Sequence, residues 1–107
     1  MRPSLLLDAG SYSLSRWKVN GIGLRAAELA DALSAECRVR VLVPEDDEDL
    51  LPLGEAEAVR AFDWDRVLAE ADVAMFFDDP DPEAEALAFD RALPLLSPTD
   101  VTDLRAF

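Results

Sequence analysis

The residues Asn20-Gly21-Ile22-Gly23-Leu24-Arg25 place two glycines and a cation at the start of a helical pattern. The first amides of a helix lack intrahelical partners and lie at the positive end of its dipole, so a phosphate or other anion can bind there. Gly21 and Gly23 leave that backbone bare, and Asn20 and Arg25 flank it. Asp8 follows Leu5-Leu6-Leu7, and the pair Asp78-Asp79 follows Val73-Ala74-Met75-Phe76-Phe77. Carboxylates at such places accept hydrogen bonds from hydroxyls or hold a cation. Trp17 and Lys18 offer a ring and an ammonium just before the glycines. Each of these has a plainer reading. Glycines let a helix pack closely, Arg25 suits a solvated helix face, an acidic pair before Pro80 ends a strand, and Trp17 and Lys18 suit an exposed loop.

The elements that position these residues follow from hydrophobic spacing. Residues 4–7 form a continuous apolar run, the pattern of a strand buried on both faces, with Asp8 at its carboxyl end. Residues 9–20 make a long Ser- and Gly-containing loop, of a length that tends to be functional or mobile. The helix then runs to about Ser34, with Ile22, Ala26, Leu29, Ala30 and Leu33 on its apolar face. Residues 37–43 alternate as a second strand, with Cys37 a small buried hydrophobe on its apolar side. The acidic run 45–49 is expected to be a solvated loop. Residues 58–62 form a weak third strand, and Asp63 caps a helix to Ala71, with Phe62 and Val67 spaced for a hydrophobic staple. Residues 73–77 form a fourth strand, and Asp81-Pro82 opens a helix to about Leu93 that buries Ala86, Phe89 and Leu93. Residues 94–97 form a fifth strand, and 98–107 receive no assignment.

Strands alternating with helices predict one α/β domain over residues 1–107, a Rossmann-like open parallel sheet of about five strands with helices on both faces. Ligands of such sheets bind outside the carboxyl ends of the strands. In this chain those ends carry Asp8, the approach to Gly21 and Gly23, Glu45, Asp78, Asp79 and residues 97–100.

Composition narrows the chemistry. The net charge of −13 over 107 residues argues against nucleic acid and anionic membranes, which require basic patches. No histidine and a single cysteine remove the usual zinc sites, Ser-His-Asp chemistry and intramolecular disulfides, so no metal centre is expected. No apolar run approaches the ~20 residues of a membrane helix, and the apolar stretch after Met1-Arg2-Pro3 is too short for a secretion signal. A cytoplasmic chain is the expectation. Lys18 is the only lysine, a bias toward arginine that fits a GC-rich genome or a high-salt cytoplasm.

The residues from Gly21 to Ala26 match G-x-G-x-x-A, the dinucleotide fingerprint, with Glu45 or Asp46 placed as the ribose acid. The spacing opposes that reading. In the fingerprint the first glycine follows the strand directly, whereas here some thirteen residues separate Leu7 from Gly21.

The stretch from Asn20 to Leu33, followed by Val39-Arg40-Val41-Leu42-Val43-Pro44 and later Ala71-Asp72-Val73-Ala74-Met75-Phe76-Phe77, resembles the start of GT-B-fold glycosyltransferases of the glycogen-synthase-like group. The resemblance spans nearly all of this chain but only the early part of such an enzyme. It implies an N-terminal acceptor domain that works with a C-terminal donor-binding domain or subunit, transferring a sugar from a nucleoside diphosphate. No cofactor is implied beyond that nucleotide-sugar co-substrate. Carried over by position, Asn20, Gly21, Gly23 and Arg25 form the phosphate-side loop, while Asp8, Trp17, Lys18, Asp78 and Asp79 are acceptor-side candidates. This sequence lacks the second domain and the family's N-terminal histidine, so activity of this chain alone is not expected. Two other classes stay open: a dinucleotide-binding module and a noncatalytic acidic domain that meets a basic partner.

Overall fold

The structure, a computed structural model, describes residues 2–60 and 62–97; residues 98–107, left unassigned above, and Ala61 of the weak third strand lie outside them. The chain runs β1 (Ser4–Asp8), α1 (Gly21–Leu33), β2 (Arg38–Leu42), β3 (Glu57–Val59), α2 (Trp64–Ala69), β4 (Val73–Phe76), α3 (Pro82–Asp90) and β5 (Leu95–Leu96). All strand pairs are parallel and the spatial order is β3-β2-β1-β4-β5. This is the doubly wound arrangement of a Rossmann-like sheet.

β1 is central because its alternate side chains serve both layers. Leu5 and Leu7 pack with Val39, Val41, Met75 and the α1 residues Ala26, Ala27, Leu29 and Ala30. Leu6 faces the other way, against Leu42, Ala74, Phe76 and the helix residues Val67, Leu68 and Ala84. Each fully buried leucine contributes about 1.5–3 kcal/mol relative to exposure, so a strand of three anchors both layers. No helix among the described residues is long and apolar enough to cross a membrane.

Several boundaries and faces differ from the sequence expectation. α1 turns a face of small residues inward, burying Gly23, Ala26, Ala27 and Ala30 with Leu29, and leaves Ile22 exposed. Small side chains bring this helix close, which fixes its rotation more strongly than the bulk of Ile22. α3 behaves alike: Ala84 and Ala88 are buried, while Phe89 is 85% exposed and Ala86 is on the surface. α3 stops at Asp90 because Ala92 adopts a left-handed φ of 53°. The Leu93 N–H then reaches back to the Ala88 carbonyl at 2.9 Å and the Ala92 N–H to the Phe89 carbonyl at 3.1 Å, a Schellman cap. Asp63 does cap α2, accepting the Asp65 N–H, though α2 ends at Ala69. Phe62 sets its ring edge-on to Trp64 at 4.8 Å. Cys37 is half-buried against the α1-side core, just before β2.

The acidic run is only partly solvated. Asp47 is buried, its carboxylate accepting the Ser13 hydroxyl at 2.9 Å and the Leu14 N–H at 3.0 Å. Its backbone carbonyl accepts the Arg60 guanidinium. The long loop 9–20 is thereby clasped rather than free. Arg16 N–H bonds the Asp49 carbonyl at 3.0 Å, Leu51 N–H bonds the Leu14 carbonyl at 2.9 Å, and Ser15 bridges Leu50.

Candidate functional site

The strand order reverses beside β1, whose connections lead to β2 on one side while β4 pairs on the other. The chain leaving β1 leads to α1 in one layer and the chain leaving β4 to α3 in the other, and ligands of such sheets bind outside the strand ends at that point. Asp8 ends β1, and its Oδ1 accepts the Gly10 N–H at 2.8 Å. The Phe77 N–H donates to the Asp8 carbonyl at 3.0 Å, tying the two strand ends together. From the β1 loop, Ser11 Oγ donates to Asp78 Oδ2 at 3.0 Å, and Asp78 Oδ1 accepts the Asp79 N–H at 2.9 Å.

Gly10 makes this convergence fit. Its φ is +65°, and a Cβ there would lie 2.6 Å from Asp78 Cβ. Any other residue separates the two loops or strains the turn. The carboxylates differ in environment. Burial pushes the Asp8 carboxyl above its ordinary 3.8; the Gly10 hydrogen bond opposes this, and the charges of Asp78 and Asp81 reinforce it. Asp78 moves the other way, held down by the Asp79 N–H and the Ser11 hydroxyl. A hollow of about 280 Å³ lies alongside, lined by Phe76, Asp78, Asp79, Leu95 and Ser97 among others.

The mouth of α1 is built differently from a bare glycine loop. Asn20 is the N-cap, and its Oδ1 accepts the N–H groups of Ile22 and Gly23, both at 3.0 Å. The Leu24 N–H is satisfied by the Asn20 carbonyl at 2.9 Å. An anion can reach the Ile22 and Gly23 amides only after the carboxamide leaves. The two glycines also differ. A Cβ on Gly23 would lie 2.3 Å from the Ser13 carbonyl oxygen, whereas one on Gly21 would meet nothing within 4 Å. Gly23 is therefore a close-approach residue against the β1–α1 loop, and Gly21 is open.

Of the residues singled out from sequence, Asp8 and Asp78 are brought together, with Asp79 adjoining. Asn20, Gly21 and Gly23 lie together at the α1 mouth. Trp17 and Lys18 belong to the clasped loop; Trp17 is 82% exposed and donates from Nε1 to Asp49 Oδ2 at 2.9 Å. Arg25 is exposed on α1 beside a hollow shared with Glu28, Leu29 and Ala32. Glu45 and Asp46 are exposed after β2, and Ser97 is half-buried after β5. Gly10 and Ser11 went unnoticed in the sequence, although Asp-x-Gly directly after a strand signals an Asx turn. No group of three or more His, Cys, Asp or Glu among the described residues could hold a metal ion. The rim presents the carboxylates of Asp8, Asp78 and Asp79 with the Ser11 hydroxyl, a set suited to gripping hydroxyl groups.

No family model matches the chain, and no curated protein matches it in sequence.

Proposed function

We propose that the chain is the acceptor-side half of a sugar-nucleotide-using transferase of GT-B type, which needs a donor-binding domain or subunit to act. The observation that carries this reading is the Asp8–Ser11–Asp78 convergence at the strand-order reversal. Carboxylates backed by backbone N–H groups are good acceptors for the hydroxyls of a polyol. The open Gly21 end of α1 lies at the carboxyl side of the same parallel sheet, since α1 follows β1 directly in the chain. In this reading Asp8 and Asp78 orient an acceptor hydroxyl. The donor diphosphate approaches Gly21, and displacement of the Asn20 carboxamide opens the Ile22 and Gly23 amides to its developing charge.

The test is a set of amide titrations of the intact chain, with a nucleoside diphosphate, a disaccharide acceptor mixture and NAD added separately. Saturable shifts at Gly10, Ser11 and Asp79 with the sugars, and at Gly21 to Leu24 with the diphosphate, support the reading. Shifts with NAD alone indicate a dinucleotide module. Silence with all three leaves the acidic interaction domain and ends the transferase reading.

A further inference from the structure

α3 is apolar on two opposite sides. Ala84 and Ala88 are buried on the inner one, with Leu87 packed against the same core. Pro82, Ala86 and Phe89 recur at steps of four and three residues on the outer one, and all three are exposed. Phe89 is 85% exposed, the most of any large apolar side chain among the described residues. A single apolar side chain on a surface needs no explanation, and a helix apolar on one side needs only one neighbour. A second apolar stripe that ends in an aromatic ring is different. Over Pro82 to Phe89 it runs about 10 Å, the spacing at which one helix anchors another.

Charge decides what can cover it. Glu83 and Asp90 border the stripe on one side and Glu85 on the other, and none of the three makes an ion pair among the described residues. The adjacent cation, Arg91, is engaged by α2: its guanidinium pairs with the Asp65 carboxylate, and Nη1 donates to the Asp65 carbonyl at 2.9 Å. A second copy of this chain would set the same three acids against one another, on top of a net charge of −13 for each copy. An anionic membrane is repelled in the same way. A basic protein surface is attracted.

We propose that the outer face of α3 docks an amphipathic helix of a partner protein, one whose apolar stripe is bordered by arginine or lysine, with Phe89 as the anchor. This face is turned away from the sheet, so sugar or diphosphate binding at the rim neither supports nor opposes the proposal. The probe is a synthetic helical peptide with leucines at every third and fourth position and arginines bordering them. It is titrated into the intact chain beside a scrambled peptide of the same composition and a third peptide with glutamates in place of the arginines. The expected result is a saturable set of amide shifts confined to residues 82–92 with the first peptide alone. Phe89→Ser, at a position the core does not use, weakens that binding about tenfold or more, as loss of a buried ring requires. The double variant Glu85→Lys with Asp90→Lys transfers the preference to the glutamate peptide. Equal binding of the scrambled peptide, shifts spread over the whole acidic surface, or unchanged affinity in Phe89→Ser overturns the proposal. Sedimentation and ring contacts of the free chain test the other occupants. A dimer that Phe89→Ser dissociates assigns the face to a second copy, and Phe89 contacts with residues 101–107 assign it to the chain's own end; either result also overturns the proposal.

Discussion

Asp47 Oδ2 accepts the Leu14 N–H at 3.0 Å across 33 residues of sequence, and its other oxygen accepts the Ser13 hydroxyl. One buried carboxylate thus joins the β2–β3 loop to the loop that leads into α1. Asp47→Ala strands a buried N–H with no acceptor and should cost about 2 kcal/mol or more. Asp46→Ala, one residue earlier and exposed, should stay within about 0.5 kcal/mol. Urea unfolding of both variants checks this; equal midpoints would remove the clasp from the account of stability.

Gly21 and Gly23 should respond oppositely to alanine. At Gly23 the new methyl meets backbone, the Ser13 carbonyl oxygen, so the loop must shift and stability falls by about 1–3 kcal/mol. At Gly21 the space is open, and Ala improves helix propensity by up to about 1 kcal/mol. Thermal unfolding of the pair decides it. A destabilised Gly21→Ala would mean that α1 begins elsewhere.

Ala92 occupies the left-handed position of the α3 cap with φ 53°, where a Cβ is unfavourable. Ala92→Gly keeps the two capping hydrogen bonds and relieves that strain, so it should stabilise the chain by about 1 kcal/mol. A loss of stability in the same unfolding assay would contradict the cap.

Asp8 and Asp78 should titrate on opposite sides of 3.8. Burial raises Asp8, so the native state keeps a proton that the unfolded chain has released, and Asp8 subtracts stability as pH rises from 3.8 through its folded pKa. Asp78 is lowered, so its contribution is present above 3.8 and fades as pH falls through its folded pKa. Asp8→Asn retains an acceptor for the Gly10 N–H and removes the first effect. Its stability relative to the parent should therefore grow as pH climbs above 3.8. Carboxyl carbon titrations give the two midpoints directly, and an Asp8 midpoint at or below that of Asp78 would refute the assignment.

The sheet was legible in the sequence because its signals are local. The run Leu5-Leu6-Leu7 and the alternation through Val39, Val41 and Val43 each specify a strand without reference to neighbours. Asp63 and Asp81 likewise announce helix starts that the structure contains. Helix rotation was not local. Phe89 is more apolar than Ala88, yet Ala88 goes inside with Ala84, one turn earlier on the same face, and Phe89 is left outside. Asp47 sat hidden among Glu45, Asp46, Glu48 and Asp49, since nothing in an acidic run marks which member meets Ser13 and Leu14. The rim was found only in part. Asp8 and Asp78 were visible as strand ends, but Ser11 enters through a loop closure that depends on Gly10.

Asn20 separates a capped helix from a phosphate loop, and one substitution can distinguish them. Asn20→Ala removes the acceptor for the Ile22 and Gly23 N–H groups and should cost about 1 kcal/mol, whereas Asn20→Gly should cost only a few tenths of about 1 kcal/mol. Asn20→Gly also leaves those amides bare beside Gly21. If a donor diphosphate displaces the carboxamide during binding, the glycine variant spares it that exchange and should bind a nucleoside diphosphate more tightly than the parent chain. If the carboxamide is purely a cap, the variant loses a little stability and gains no affinity. Calorimetric titration of both proteins with the same diphosphate reads the difference, and equal or absent binding would confine Asn20 to holding α1 in place.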